Sequence, residues 1–547
     1  MPAGKNAGSS LRRSHLLLAF VLIGLAWMPS TGCVQPQRPT EKVGVRAASP
    51  DAGVTSVDPR TNQPLRFIVT VPALTRSNAV TGRVLLFLSR KPGSEPRFTS
   101  SFAAEPPALY AIDATNWSAG MPLTFWPSNF TAPAALAFPG PMGRLEPGAY
   151  RAQVLVDLHE TRRDFNEGPG NLYSKVFPCQ LYGNRGGPIE LAADQEITEK
   201  APKDNDWVKL VQVRSRLLSD FHHREMTMRA AVILPSTYTN SSDGKFPAIY
   251  VIPGFGGRHT SAWGWIESSA GKKWRQGGVP LQALYVMLDP DVPLGHSAFA
   301  NSANNGPVGD ALVQELIPEI ERRFRALAHP TARFVTGHSS GGWASLWLQV
   351  AYPEFFGGCW STAPDPVDFR AFQTVNLYED RNGHWTREGT LRPVSRARDR
   401  AVLTFQQFNR VEYVLGPGGQ LDSFNAVFSP RGKDGRPRPV MDKLSGHIDR
   451  DVVEYWKRYD IRLLLEENWP TLGPKLQDKL HVIGAAWDTY FLDPAVVLLQ
   501  DFLRTQKHGG YVEIHPGDHG SVMTEPLRER IAREMAQRFE ATAEQRK

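Results

Sequence analysis

The sequence predicts an α/β protein: a mostly parallel, doubly wound sheet from Trp207 onward, preceded by a small β-sandwich. Three observations carry that expectation. The runs 248–252 and 284–288 are apolar without interruption, as strands of a parallel sheet buried on both faces are. Strand-like runs alternate with helical periodicity from there to the C-terminus. Ahead of them, 65–185 holds short β-branched and large apolar runs separated by Pro- and Gly-rich turns.

The 547 residues leave room for two or three domains, and 41% hydrophobic with 21% charged residues is ordinary for a globular chain. The net charge of +7 is a mild excess over this length. No dense Lys/Arg block with interleaved aromatics occurs, which argues against a nucleic-acid partner. Residues 1–33 read as a targeting segment. Lys5, Arg12 and Arg13 form a basic start, and an apolar run of about 13 residues follows from Leu16, short for a membrane span. Thr31-Gly32-Cys33 then resembles a bacterial lipoprotein signal, although Ser30 stands where an aliphatic residue is usual. The expectation is export, to the periplasm or the outer membrane as a lipoprotein anchored through Cys33, or otherwise by secretion. Cys179 and Cys359 could pair in an oxidising compartment, although Cys359 lies in an apolar run that reads as core.

Residues 34–62, rich in Pro, Ser, Thr and Ala, read as a flexible tether. The β-sandwich is expected over 63–190. In 150–157, Tyr150, Ala152, Val154 and Val156 point one way and Arg151, Gln153 and Asp157 the other. A charged stretch, 194–206, reads as a linker. The α/β domain is expected over 207–547. Leu312, Leu316, Ile320 and Phe324 put a helix over 310–325 that Pro318 interrupts. Strand 332–336, a Gly/Ser turn and helix 342–350 follow; 480–484 and 511–514 are further strands with a helix between them. From 364 to 479 the sheet pattern is suspended by charged and aromatic sequence, which reads as an insertion over the active-site edge, a lid or cap. The C-terminal 525–546 reads as a charged amphipathic helix with a solvated outer face.

Gly337-His338-Ser339-Ser340-Gly341 matches GxSxG. Such a match arises by chance on the order of 0.3 times in a chain like this, so its context carries the weight. It directly follows a strand and precedes a helix, where a nucleophile elbow belongs, and small neighbours let strand and helix approach. Ser339 is thus the candidate nucleophile, with Ser340 one place off the apex and its N–H a candidate oxyanion donor. The base follows in Asp518-His519-Gly520, a turn-rich loop after a strand: His519 is favoured over His515, at the strand end, and His481, in the strand before. The acid candidate is Asp488 at the exit of strand 480–484; Asp493 before Pro494 reads equally as a helix N-cap, and Asp518 is a further rival. The Gly-rich loop after 248–252 offers the second oxyanion donor, Phe255, with Gly254 and Gly256 as alternatives. Asp289, Asp291 and His296 form a metal- or substrate-site candidate that reads better as a Pro-rich loop at the pocket rim. His222 and His223 read as surface.

These motifs, with Glu315-Leu316-Ile317-Pro318-Glu319-Ile320, resemble the bacterial putative-esterase family of α/β-hydrolases over about 207–363 and 480–525. That family includes esterase D, enterochelin and feruloyl esterases, and mycolyltransferases. The resemblance implies an α/β-hydrolase fold, Ser339, Asp488 and His519 as a triad, carboxylic ester hydrolysis, and no cofactor or metal. Pro253-Gly254 stands where members commonly carry His-Gly, and the long insertion is unlike the compact members. The expected substrate is a carbohydrate, siderophore or other small ester. Acyl transfer to a sugar or lipid acceptor, and a degenerate hydrolase serving as an envelope binding protein, are the rival functions.

Overall fold

The computed structural model describes residues 62–158, 163–199, 202–239 and 244–546. The targeting segment with Cys33, and the tether up to residue 61, lie outside the described residues. Among the described residues no helix is long and apolar enough to cross a membrane.

The N-terminal body has two sheets. The smaller runs Leu123–Phe125, Phe67–Thr70, Ile189–Ala192. The larger runs Gln195–Glu196, Leu172–Tyr173, Gly148–Asp157, Val80–Ser89, Ala108–Trp117, Ala137–Phe138, with Phe177–Leu181 also on Gly148–Asp157. Their shared core holds Phe67, Val84, Leu86, Tyr110, Val154 and Val156. The sheets thus continue to Glu196, because Gln195–Glu196 pairs with Leu172–Tyr173 inside the stretch expected as linker. The outer face of the larger sheet is buried as well: Leu85, Phe87 and Leu155 pack against Val411 and Val414 of the segment 364–479. That second burial makes 84–88 continuously apolar where a one-sided strand would alternate. Gln153, expected on a polar face, is fully buried there and donates to Glu95 Oε2 at 2.7 Å and to the Ser174 carbonyl at 3.0 Å.

The second body is built on eight strands: β1 (Val208–Arg214), β2 (Thr227–Ile233), β3 (Ala248–Ile252), β4 (Leu284–Leu288), β5 (Arg333–His338), β6 (Gly358–Thr362), β7 (Leu480–Ala485) and β8 (Tyr511–His515). Their order is β1-β2-β4-β3-β5-β6-β7-β8. The β1–β2 and β2–β4 pairs are antiparallel, all others parallel. In β3, Ala248, Tyr250 and Ile252 enter one core and Ile249 and Val251 the other, so the whole run is apolar.

The expected helix over 310–325 is Val308–Ala311, a π turn Leu312–Leu316, and Ile317–Arg323. Pro318 donates no backbone hydrogen bond and its ring crowds the preceding turn, so the interruption takes the form of a wider turn just before it. The C-terminal helix Glu525–Ala541 is not merely an outer face: Leu527, Ile531 and Met535, four residues apart, pack into the sheet. Residues 364–479 leave between β6 and β7. They form the hairpin Pro393–Ala397/Arg400–Thr404 and helices Phe405–Leu415, Gln420–Phe428, Arg450–Trp456 and Ile461–Leu472. Phe369, Phe405, Phe428 and Trp456 from this segment are continuous with the main core. Cys359 is buried in β6 and Cys179 lies on a strand of the N-terminal sheet, so the two do not pair.

Candidate active site

Ser339 stands between β5 and helix Ser340–Ala351 with φ 61° and ψ −127°. A side-chain-bearing residue there carries strain of roughly 1–3 kcal/mol, tolerated only where neighbours fix it. The Ser339 N–H donates to the Thr362 carbonyl at 3.0 Å, and its own carbonyl accepts from Asp365 at 3.2 Å and Trp343 at 3.0 Å. The glycines are required by contact. A Cβ on Gly341 would lie 1.9 Å from the Ile252 carbonyl oxygen, one on Gly337 2.2 Å from the Gly341 oxygen, and one on Gly342 2.7 Å from the Thr362 oxygen.

His519, in the loop after β8, and Asp488, in the loop after β7, meet: Nδ1 lies 2.8 Å from Asp488 Oδ2. Both are buried. The loops are laced together by Trp487 N–H to the Gly517 carbonyl at 3.0 Å. Asp488 Oδ1 accepts from Tyr490 N–H at 2.9 Å. With Nδ1 donating to the carboxylate, Nε2 is the imidazole's base nitrogen. Burial pushes the His519 pKa down, but the Asp488 carboxylate outweighs it, with Asp365 and Asp518 adding to it, and the net shift is upward. The rings of His338 and Tyr490 lie 4.6 and 4.9 Å from the His519 ring.

The loop after β3 faces this assembly. A Cβ on Gly254 would lie 3.4 Å from Ser339 Cβ, so the loop backbone passes directly beside the serine. The Arg163 guanidinium sits 4.5 Å over the Phe255 ring and pairs with Asp291 at 3.1 Å. Asp289 pairs with Arg258 at 2.8 Å and His259 at 2.7 Å. Burial raises its pKa, and these two partners more than reverse that and hold it low. His296 Nε2 lies 3.0 Å from the Pro253 carbonyl. Asp289, Asp291 and His296 therefore brace the Gly-rich loop. Among the described residues no cluster of three or more His, Cys, Asp or Glu is placed to hold a metal.

The remaining candidates lie elsewhere. Asp493 is the first residue of helix Asp493–Arg504, not its N-cap, and is taken by Arg396 at 2.6 Å. His515 pairs with Glu513 at 2.7 Å. His481 stacks on Trp360 at 4.5 Å. Asp518 closes its own turn by accepting from Ser521 and Gly520. His222, half-buried, contacts the Asn305 carbonyl at 3.2 Å.

Ser339, His519 and the 253–257 loop open on a cavity of about 410 Å³. Its walls come from three parts of the chain: the Gly-rich loop, Phe372, Phe405, Phe408 and Phe424 from the 364–479 segment, and Ser101, Phe102, Arg163 and Phe165 from the N-terminal body. Residues 163–166 carry no local motif, because their role arises from a contact between distant segments. Asp365 likewise belongs to no motif, although it directly follows a strand in Ala363-Pro364-Asp365-Pro366, where side chains reach the C-terminal sheet edge.

The strand order, the elbow after β5 and the loops after β7 and β8 define an α/β-hydrolase. Residues 222–410 match the family model described as Putative esterase, the family that the motifs resemble, and esterase is the activity class that match supports. No curated protein matches the chain by sequence. Among solved structures, the chain is similar to a ferulic acid esterase, at 12% identity and a TM-score of 0.38, covering 61% of this chain and 100% of that chain. It is similar to an S-formylglutathione hydrolase from Agrobacterium tumefaciens (15%, TM-score 0.37, covering 61% and 95%). A ferulic acid esterase from Anaeromyces mucronatus is also similar (13%, TM-score 0.31, covering 62% and 94%).

Proposed function

We propose that the chain is a serine esterase that cleaves a small carboxylic ester through Ser339, His519 and Asp488. The observation that carries this reading is the 2.8 Å His519–Asp488 pair in the loops that share a cavity with a serine at φ 61°. His519 Nε2 takes the Ser339 hydroxyl proton as Oγ attacks the ester carbonyl. Asp488 holds the imidazole tautomer and stabilises the imidazolium that forms. The N–H groups of Ser340, first in its helix, and of Phe255 receive the oxyanion, aided by the positive end of the helix dipole. The imidazolium protonates the leaving alcohol, and water releases the acyl group by the same route. No step calls for a cofactor. The 364–479 segment serves as the lid, walling the cavity with phenylalanines and fixing which ester fits. The enzyme works outside the cytoplasm, exported by residues 1–33 and held to a membrane through lipidated Cys33.

Ser339→Ala is expected to lower kcat by a factor on the order of 10⁴–10⁶ on an activated acetyl or butyryl ester and to abolish labelling by a fluorophosphonate. Near-normal turnover by that variant would falsify the assignment.

A further inference from the structure

Beyond the triad, one buried acid touches both residues of the elbow. Asp365 follows β6 and is 3% exposed. Its N–H donates to the Ser339 carbonyl at 3.2 Å. Its Oδ2 accepts from the Ser340 hydroxyl at 2.5 Å and from Gln420 Nε2 at 3.3 Å, and Gln420 Nε2 also lies 3.4 Å from Ser340 Oγ. Gln420 begins the helix Gln420–Phe428, so the contact joins the elbow to the 364–479 segment.

We propose that Asp365 is a positioning residue for the oxyanion donor, gripping the Ser340 side chain and the Ser339 carbonyl and tying both, through Gln420, to the segment that walls the cavity. The proposal rests on the esterase reading above. The reasoning is geometric. An oxyanion donor works by being fixed before charge develops, and a donor that must reorient loses most of its worth. Ser340 is the first residue of its helix, where no preceding turn holds it. A charge-assisted hydrogen bond to its hydroxyl fixes the residue whose N–H faces the substrate oxygen. The Gln420 contact makes the fixing depend on the segment being seated.

The grip has a pH dependence of its own. Burial pushes the Asp365 carboxyl up to about 6, against the pull of Ser340, His519 and Gln420, while Asp488 adds to the rise. The titratable groups facing it are His519 and Asp488 from the loops after β8 and β7, and Tyr490. Below that value the carboxyl is protonated, its attraction for the Ser340 proton weakens, and its support of the imidazolium is lost. His519, its own pKa raised, also gains its proton as pH falls, so two groups shape the acid side of the rate profile.

The test uses full-length protein with Asp365→Ala, Asp365→Asn, Ser340→Ala and Gln420→Ala, read by steady-state kinetics on an activated butyryl ester and by final fluorophosphonate stoichiometry. Asp365→Ala is expected to lower kcat about 10- to 100-fold with KM within about twofold, less than the loss of a whole oxyanion donor. Ser340→Ala should match it, and Gln420→Ala should fall in between. Asp365→Asn keeps an oxygen for the Ser340 hydroxyl but not the charge, and its kcat at pH 8 should lie between those of Asp365→Ala and the wild type. Its acid limb should show one ionisation where the wild type shows two. Full phosphonylation of each variant shows that the fold and the nucleophile survive. If Asp365→Ala fails to fold, Ser340→Ala and Asp365→Asn decide the matter. Wild-type kcat in Ser340→Ala, a loss confined to KM, or an unchanged acid limb in Asp365→Asn overturns the proposal. A wild-type protein that neither turns over esters nor takes the label overturns the esterase reading itself.

Discussion

At the scale of single residues, the proposed mechanism makes His519 the group that sets the pH dependence. Its pKa is raised by Asp488 against the lowering effect of burial, so the neutral base is lost at a higher pH than for an ordinary histidine. The rate should therefore fall as pH drops through a value above the 6.5 of a free imidazole, as a kcat/KM profile between pH 5 and 9 would show. Asp488→Asn removes the charge and disturbs the tautomer. It should lower kcat by about 10³–10⁴ and move that acid limb toward lower pH; an unmoved limb would show that Asp488 does not govern the base. Gly341→Ala tests the elbow separately, because its Cβ would meet the Ile252 oxygen at 1.9 Å. A destabilisation of roughly 3 kcal/mol or more is expected in urea unfolding. Ser339, Asp488 and His519 stood out in the sequence because each occupies a recognisable local setting: a turn between strand and helix, or a loop just past a strand. Asp365 and Arg163 did not. Asp365 reads locally as part of a Pro turn, and Arg163 acts on Phe255 from another body of the chain. Pairings of that kind have no sequence period or spacing to betray them.

At the scale of elements, the helix Phe405–Leu415 shows why the 364–479 segment was hard to read. Its Thr404 cap and Gln407 form a reciprocal capping box. Phe405 and Phe408 line the cavity, whereas Val411 and Val414 enter the core shared with the N-terminal sheet. The helix's buried Phe405, Phe408, Val411 and Val414 repeat at helical spacing, but the charged and aromatic sequence around them and the buried Glu412 among them mask that stripe, so the segment reads only as an insertion. Glu412 is held by Lys443 at 3.1 Å, and Lys443 also reaches Asp422 at 2.7 Å. On the outer side Arg410 donates to the carbonyls of Ala137, Pro133 and Ala135 at 2.8, 2.9 and 2.7 Å. Arg410→Ala leaves three acceptors without that donor. It should cost about 2 kcal/mol, seen as a lowered midpoint in thermal unfolding, and raise KM more than it lowers kcat, because the helix walls the cavity without touching the reacting atoms. The parallel strands were easier to read, since burial on both faces leaves them uniformly apolar.

At the scale of the whole molecule, the two bodies are one machine. The larger N-terminal sheet buries Leu85, Phe87, Leu109 and Leu155 against Val411 and Val414. Arg83 donates to the Tyr413 and Val414 carbonyls at 3.0 and 3.2 Å. Arg163 reaches Asp291 at 3.1 Å, and Arg258 reaches Glu167 at 3.3 Å, both across the same boundary and both beside the Gly-rich loop. An apolar interface closed by ion pairs couples the stability of its partners, so the two bodies should unfold in one transition, with tryptophan fluorescence and far-UV circular dichroism giving the same urea midpoint. Val414→Asp tests that coupling. It places a carboxylate on a fully buried position among apolar side chains, beside an Arg83 already committed to Asp113 at 2.7 Å. Burying an unpaired charge costs several kcal/mol, more than the interface can absorb without opening. The two probes should then report separate midpoints, and kcat/KM should fall because Phe102, Phe165, Phe405 and Phe408 no longer meet around the cavity. Separate midpoints with unchanged kcat/KM would instead show that the N-terminal body stabilises the molecule without shaping its site.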